Sequence, residues 1–387
     1  MYMFLPYMTN DYSIGLYNEN VDDIYHSAFG ALNEAYEKFV SPAIENISLD
    51  KKNEINVLDI CYGIGYNTKV LINEVRNKYP DLKIKIDCVD TDRTLMELSP
   101  FILSNVNLIN RLIHKNKLLK NAKRYSETKK IVELKNKSQT NKISKSVNKI
   151  LLKNLISSFG LEFLSKDSIK ILQNRENDDF FYNSLLNFYK IFLKNRIYLQ
   201  QNKNKSTFVH NIYYKYVSCR YKYFNDLSLK YTINFIVSDI RRYLIQTDRK
   251  YDLIFLDGFT PSKCPCIWSV DFFKELYNHL NNDGVLLTYN KSAPVRKAMI
   301  DNKFYIGNTV SDKNKLIGTI ASKKISNIKN KLSDKDFGLL STKAGIPYRD
   351  INLSLDNNII KANREKEVAE SLLLSSTQYI KGLKNEI

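Results

Sequence analysis

The chain has 387 residues, 43% of them hydrophobic, and a net charge of +18. That is length for one large domain or two ordinary ones and apolar content for a sizeable core, which excludes a disordered chain. No apolar stretch is long enough to cross a bilayer, the first residues lack the basic and apolar regions of a signal peptide, and the five scattered cysteines fit reduced thiols, so a cytoplasmic protein without membrane association is expected.

The charge is concentrated. Residues 104–230 hold 26 Lys and Arg against 8 Asp and Glu, while the two flanks together hold 33 of each sign. An excess confined to one block is the footprint of a polyanion-binding element; the alternative is a set of solvated Lys-rich helices in a Lys-, Asn-, Ile- and Tyr-rich composition.

In chain order, residues 21–44 predict a helix capped by Ser27, carrying Leu32, Ala35 and Phe39 on related faces and ended by Pro42, with Glu34 and Lys38 at i,i+4 spacing. Residues 55–75 read as strand, glycine turn and helix: an apolar run over 55–60, a loop with Gly63 and Gly65, then Val70, Leu71 and Val75. A second strand over 84–89 ends at Asp90, where a carboxylate accepts from ribose hydroxyls. The pattern Asp-x-Cys-x-Gly-x-Gly puts Cys61 where a dinucleotide fingerprint has its first glycine. It resembles instead the first motif of class I S-adenosylmethionine-dependent methyltransferases, which implies Asp59 near the amino acid part of the cofactor and Gly63 and Gly65 in the loop beneath it.

Strand-helix alternation stops near residue 104. Residues 109–153 are Lys-rich, contain neither Gly nor Pro, and predict helix; clusters of Phe and Tyr follow around 180–189 and 213–223, suited to stacking on bases or to a core. The sheet resumes at Tyr231 with a strand over 233–240 ending in Ser238-Asp239-Ile240, similar to the methyltransferase element that recognises adenine. Residues 253–256 are apolar on both faces, as in a central strand, and deliver Asp257 to the carboxyl end, where it serves chemistry or caps the next helix. A helix over 271–280, a turn at Asp283-Gly284, a strand over 285–289, a helix over 295–302 and a last helix opened by Asp356 and carrying Ile359, Ile360, Ala362 and Val368 complete the reading. Cys264 and Cys266 have no second pair or nearby His at zinc-ligand spacing, so no metal is expected. The whole predicts an α/β Rossmann-like sheet with helices on both faces, split as 1–103 and 231–335, with a basic, mainly helical insertion at 104–230 and a C-terminal extension, 336–387, packing on the domain.

Two stretches are more specific. DGFTPSKCPCIW, residues 257–268, resembles the Asp-Gly-Phe-Ala-Pro-x-Lys-x-Pro-x-x-Trp signature of the MnmC family, matching at Asp257, Gly258, Phe259, Pro261, Lys263, Pro265 and Trp268, with Thr260 in place of Ala. LLTYNKSAPVRKAM, residues 286–299, is similar to the family's strand, small-residue loop and Val-Arg helix, and Asp22, Asp23, Tyr25 and Ser27 to its opening motif. The resemblance implies an S-adenosyl-L-methionine-dependent tRNA methyltransferase that converts 5-aminomethyl(-2-thio)uridine at the wobble position to 5-methylaminomethyl(-2-thio)uridine. It implies Asp257 orienting the amine, Phe259 and Pro261 walling the site, and Asp90, Asp239, Ile240 and Tyr25 toward the cofactor. With tRNA as partner, Lys263, Lys115, Lys123 and Arg124 are the expected phosphate-binding residues. Nothing resembles a fused FAD oxidase domain, so other enzymes are expected to supply the aminomethyluridine. The alternatives are a small-molecule or polyamine transferase on the same fold, for which a +18 insertion has no use, and an inactive RNA-binding protein, against which the intact acids and glycines stand.

Overall fold

The computed structural model describes residues 4–8, 13–18, 23–25, 30–99, 231–311 and 314–385. The 104–230 insertion, with Lys115, Lys123 and Arg124, lies outside the described residues, as does Ser27. The chain divides into two compact units, one of residues 1–36, 63–77 and 92–235, the other of residues 37–62, 78–91 and 236–387.

In the first unit, β1 (Phe4–Met8), β2 (Ile14–Asn18) and β3 (Asp23–Ile24) form an antiparallel meander. Tyr25 follows β3 and donates its backbone N–H to Leu16 O at 2.8 Å. Helix α1 (Ala31–Ala35) starts after Gly30, and the orphan amide of Ala31 is satisfied by Ser13 Oγ, just before β2, at 2.9 Å. The helix does not stop at Pro42. A π-helical turn, Tyr36–Val40, carries it into α2 (Ser41–Asn46), where Pro42 occupies the first turn. A first-turn amide has no partner within the helix, so proline costs nothing there.

Strands β4 (Glu54–Ile60), β5 (Lys83–Asp90), β6 (Tyr231–Val237), β7 (Tyr251–Leu256), β8 (Leu280–Thr288), β9 (Tyr305–Val310) and β10 (Leu316–Ser322) form a seven-stranded sheet in the order β6-β5-β4-β7-β8-β10-β9. β4 runs parallel to both β5 and β7, β7 runs parallel to β8, and β10 runs antiparallel to β8 and β9. The chain leaves β4 toward β5 and β6, then returns to β4's other side at β7. That reversal is a topological switch point, and its carboxyl edge is where open α/β sheets bind ligands. Every residue of β7 is buried, which is why its sequence lacks the alternation of a half-exposed strand. Two buried acids are structural: Asp87 accepts from Arg249 and from Tyr251 Oη at 2.8 Å, and Asp252 accepts from Lys52 at 2.7 Å and Asn56 N at 2.9 Å.

Helices α3 (Tyr66–Lys78) and α4 (Arg93–Leu98) precede the insertion; α5 (Ile240–Gln246), α6 (Val270–His279), α7 (Ala293–Asp301), α8 (Asp334–Leu340), α9 (Asn357–Glu370) and α10 (Ser376–Asn385) follow it. Ser269 caps α6, its Oγ accepting from Phe272 N at 3.1 Å, and Trp268, Phe272, Phe273 and Leu276 are wholly buried in the core beside β7. β8 starts at Leu280, before the expected turn, and absorbs Asp283-Gly284 as an irregularity opposite β7. The β9–β10 pair escaped the sequence reading because Gly307 and Gly318 interrupt its apolar runs. Both glycines sit where a Cβ would come within 2.4 Å of a carbonyl oxygen, of Asn330 and Thr288 respectively. In α9 only Ile360 is buried; Ile359 and Ala362 are exposed.

Candidate active site

The register builds the site. Ile60 lies opposite Val89 of β5 and Leu256 of β7, and Leu256 lies opposite Thr288 of β8. The residues that follow, Asp90, Cys61, Asp257 and Tyr289, therefore form one row along the carboxyl edge at the switch point. Backbone bonds continue past the strands to hold that row: Cys61 N and Tyr62 N donate to Val89 O at 3.0 and 3.2 Å, Asp257 N donates to Ile60 O at 3.3 Å, and Ser238 N donates to Asp90 O at 3.0 Å. Asp90 and Asp257 stand two strand spacings apart, about 10 Å. Cys61 lies between them with φ of 59°, a left-handed conformation that costs a residue with a Cβ about 1–2 kcal/mol. Its thiol pKa is raised well above the ordinary value, first by burial and then by the nearby charges of Asp90, Asp257, Cys266 and Asp59. Asp59 itself is buried within β4.

The loop after β7 is pinned from beneath. Trp268 Nε1 donates to Phe259 O and Tyr289 Oη donates to Gly258 O, each at 2.8 Å, and the two rings meet edge to face at 6.0 Å. Lys38 lies over the Tyr289 ring at 5.6 Å. A side chain at Gly258 would put its Cβ 2.1 Å from Ile267 Cδ1 and 3.1 Å from Cys61 Sγ, so a larger residue there would have to displace the Ile267 side chain. Thr260 O accepts from Lys263 N at 2.8 Å and Cys264 N at 2.9 Å, closing a turn that leaves Lys263 exposed and Phe259 and Pro261 half-buried. Asp239 caps α5: its Oδ1 accepts from Arg241 N at 2.9 Å, and Arg241 Nη2 reaches its Oδ2 at 2.7 Å. Ile240 is buried behind it.

The register places Asp90 and Asp257 on either side of Cys61, with Asp59 two residues before it in β4, and Asp239 lies just past the end of the adjoining β6. Gly63, Gly65 and Tyr25 belong to the other unit. There Gly63 and Gly65 have φ of 55° and 76°, and Lys69 of α3, wholly buried, donates to Ile64 O at 2.9 Å and Ser99 O at 2.7 Å. The roles of Tyr289, Arg241 and Lys69 were missed in sequence. For Lys69 no local signal existed, since α3 also carries Asn67, Asn73, Glu74 and Arg76 and a lysine among them reads as solvated. Among the described residues no group of three or more His, Cys, Asp or Glu is placed to hold a metal ion.

Burial lowers the Lys69 ammonium to about 7. The unfolded chain keeps that proton up to about 10.4, so folding is penalised below pH 7 and the penalty is relieved as pH rises from about 7 toward 10. The urea unfolding free energy of the wild type is expected to rise relative to that of Lys69→Met over that range, by at most about 1.4 kcal/mol per pH unit. Parallel curves for the two proteins would contradict a buried, titrating Lys69.

A Rossmann-like sheet with acids at consecutive strand ends of its switch point is the arrangement of a ligand-binding open α/β fold. Residues 203–324 match the model of a family described as S-adenosyl-L-methionine-dependent methyltransferase. The chain is also similar to proteins named MnmC. Its fold is similar to the crystal structure of MnmC2 from Aquifex aeolicus, with a TM-score of 0.56 over 95% of this chain and 86% of that one, at 17% identity. A stretch of 73 residues, 19% of this chain, is 32% identical to the tRNA 5-methylaminomethyl-2-thiouridine biosynthesis bifunctional protein MnmC of Pseudomonas putida, covering 11% of that protein. Another relative, an uncharacterized protein of Methanocaldococcus jannaschii, is 32% identical over 166 residues, 41% of this chain and 47% of its own length. The chain thus spans less than half of either curated relative. The residues present fit S-adenosyl-L-methionine: carboxylates at Asp90 and Asp257 flank the switch point, and Cys61 turns the backbone over in a left-handed conformation between them.

Proposed function

We propose that this protein methylates the primary amine of 5-aminomethyl(-2-thio)uridine at the tRNA wobble position, giving 5-methylaminomethyl(-2-thio)uridine. The observation that carries the reading is the Asp257 loop: its carboxylate ends β7 at the switch point, and the carbonyls of the next two residues are fixed by Tyr289 and Trp268. S-adenosyl-L-methionine supplies the methyl group on a sulfonium, which is a leaving group good enough to need no acid.

What remains for the protein is alignment and a free lone pair on nitrogen. An alkylammonium with a pKa near that of lysine costs about 4–5 kcal/mol to deprotonate at neutral pH. Asp257 cannot remove that cost as a negative charge, because an adjacent anion stabilises the ammonium. Its role is to orient the amine through an N–H···O bond, while Phe259 and Pro261 exclude water and so favour the neutral form. With the cofactor bound, its methyl carbon would pass to the nitrogen while the sulfur kept the C–S electron pair, and the proton the nitrogen must lose would go to solvent. Asp90 is assigned to the ribose, Asp239 and Ile240 to the adenine, Asp59, Gly63 and Gly65 to the rest of the cofactor on the resemblance to the first class I methyltransferase motif, and Tyr25 on the MnmC resemblance. Lys263 is exposed beside the loop, where it suits a phosphate.

The test is transfer of labelled methyl to bulk tRNA that carries 5-aminomethyluridine, followed by nucleoside mass spectrometry. Label in 5-methylaminomethyluridine is expected; label in free polyamine and none in tRNA would refute the assignment. The basic block at 104–230 is proposed to hold the tRNA. Changing Lys115, Lys123 and Arg124 together to Gln is then expected to flatten the slope of log affinity against log salt by roughly 0.7–0.9 for each phosphate no longer neutralised, with cofactor affinity unchanged. An unchanged slope would move the RNA surface to the flanks.

A further inference from the structure

The side chain behind Asp239 is more heavily committed than a helix cap requires. Arg241 approaches Asp239 through Nε, 3.2 Å from both oxygens, and through Nη2, while the backbone N–H of Arg241 takes Oδ1. Its other arm, Nη1, donates to Asp350 Oδ2 at 2.7 Å and to Leu355 O at 2.9 Å. Asp350 is fully buried and is fixed in turn: its Oδ1 accepts from Leu355 N at 2.8 Å and its N–H donates to Asp271 Oδ2 at 2.6 Å in the first turn of α6. The guanidinium fork therefore joins the end of β6 to a segment more than a hundred residues later in the chain.

We propose that Arg241 is a positioning residue for purine selection: gripped by Asp350 and Leu355, it holds the Asp239 carboxylate in one orientation, so that a 6-amino purine is accepted and a 6-oxo purine refused. This rests on the reading that the cofactor's adenine lies at Asp239. A carboxylate offers about four acceptor directions. The Arg241 backbone and side chain occupy most of them, and the Asp239 side chain remains 36% exposed, so what is left faces solvent. Burial raises the Asp239 pKa, but the bonds and charge of Arg241 outweigh it and hold the group below the ordinary carboxylate range. Asp239 is thus an acceptor without a proton to donate. Opposite it, an exocyclic amine completes a hydrogen bond, whereas a 6-oxo group sets acceptor against acceptor. Without the fork the carboxylate can rotate about its own Cα–Cβ bond, and selection is lost before binding is.

The test is calorimetric binding of S-adenosyl-L-homocysteine and its 6-oxo analogue, S-inosyl-L-homocysteine, to the full chain as wild type, Arg241→Lys, Arg241→Met and Asp350→Asn. The wild type is expected to prefer the adenine form about 10- to 100-fold. Arg241→Met should bring the ratio near one. Arg241→Lys keeps the charge without the fork and should follow it, and Asp350→Asn, which touches no ligand, should reduce the ratio severalfold. Should Arg241→Met fail to fold, the Lys and Asn variants carry the same comparison. Equal weakening of both ligands with the ratio unchanged would make the network merely structural and overturn the proposal. A wild type that binds both ligands equally would overturn it while leaving the cofactor site standing, and one that binds neither would remove the cofactor reading itself.

Discussion

Replacing Asp257 by Asn is expected to lower kcat by roughly 10²-fold or more while the Kd for S-adenosyl-L-methionine changes by less than about threefold. The substitution keeps the shape of the side chain at the end of β7 and leaves its backbone bond to Ile60 O in place, so the row of strand ends should persist. It removes a charged acceptor, and the amide that replaces it can present its NH₂ to the amine, donor against donor. An effect made only in the transition state falls on kcat and kcat/KM equally, which single-turnover transfer and cofactor titration separate. Near-normal turnover with weakened cofactor binding would make Asp257 a cofactor ligand instead.

Trp268 carries the largest expected effect on stability. It is the chain's one tryptophan, has no exposed surface, and lies in the core with Phe272 and Phe273. Trp268→Ala should cost about 3–5 kcal/mol in urea unfolding through lost packing and the cavity left behind. Trp268→Phe separates packing from hydrogen bonding: most of the ring volume stays, and the N–H that holds Phe259 O at 2.8 Å is lost. That should cost about 1–3 kcal/mol and also reduce kcat, because the loop that follows Asp257 is released on one side. Wild-type stability and turnover in Trp268→Phe would show that Tyr289 alone suffices to fix the loop.

Much of the sheet was legible. β7 announces itself as a short apolar run closed by Asp257, since a strand buried on both faces leaves no polar alternation to blur it, while β4 and β5, whose first residues alternate polar and buried, were marked by the glycine turn after β4 and by Asp90 at the end of β5. Asp90 and Asp257 followed as site candidates because they end those strands. The β9–β10 pair did not, since its glycines answer to close backbone approaches across β10 and from Asn330 that no local pattern encodes. Nor did the continuation of the first helix past Pro42, which lies in the first turn of α2, just after the π-helical turn.

The sequence by itself determined the class of fold, the strand-end acids and the MnmC-like loop, because each is written in residues adjacent in the chain. Tertiary structure alone decided which groups hold those acids. Tyr289 reaches Gly258 across 31 residues, and Arg241 joins Asp239 to Asp350 across 109. Register and helix packing set such partnerships, and a side chain's reach across a sheet edge depends on where the backbone has already gone, which local periodicity does not contain.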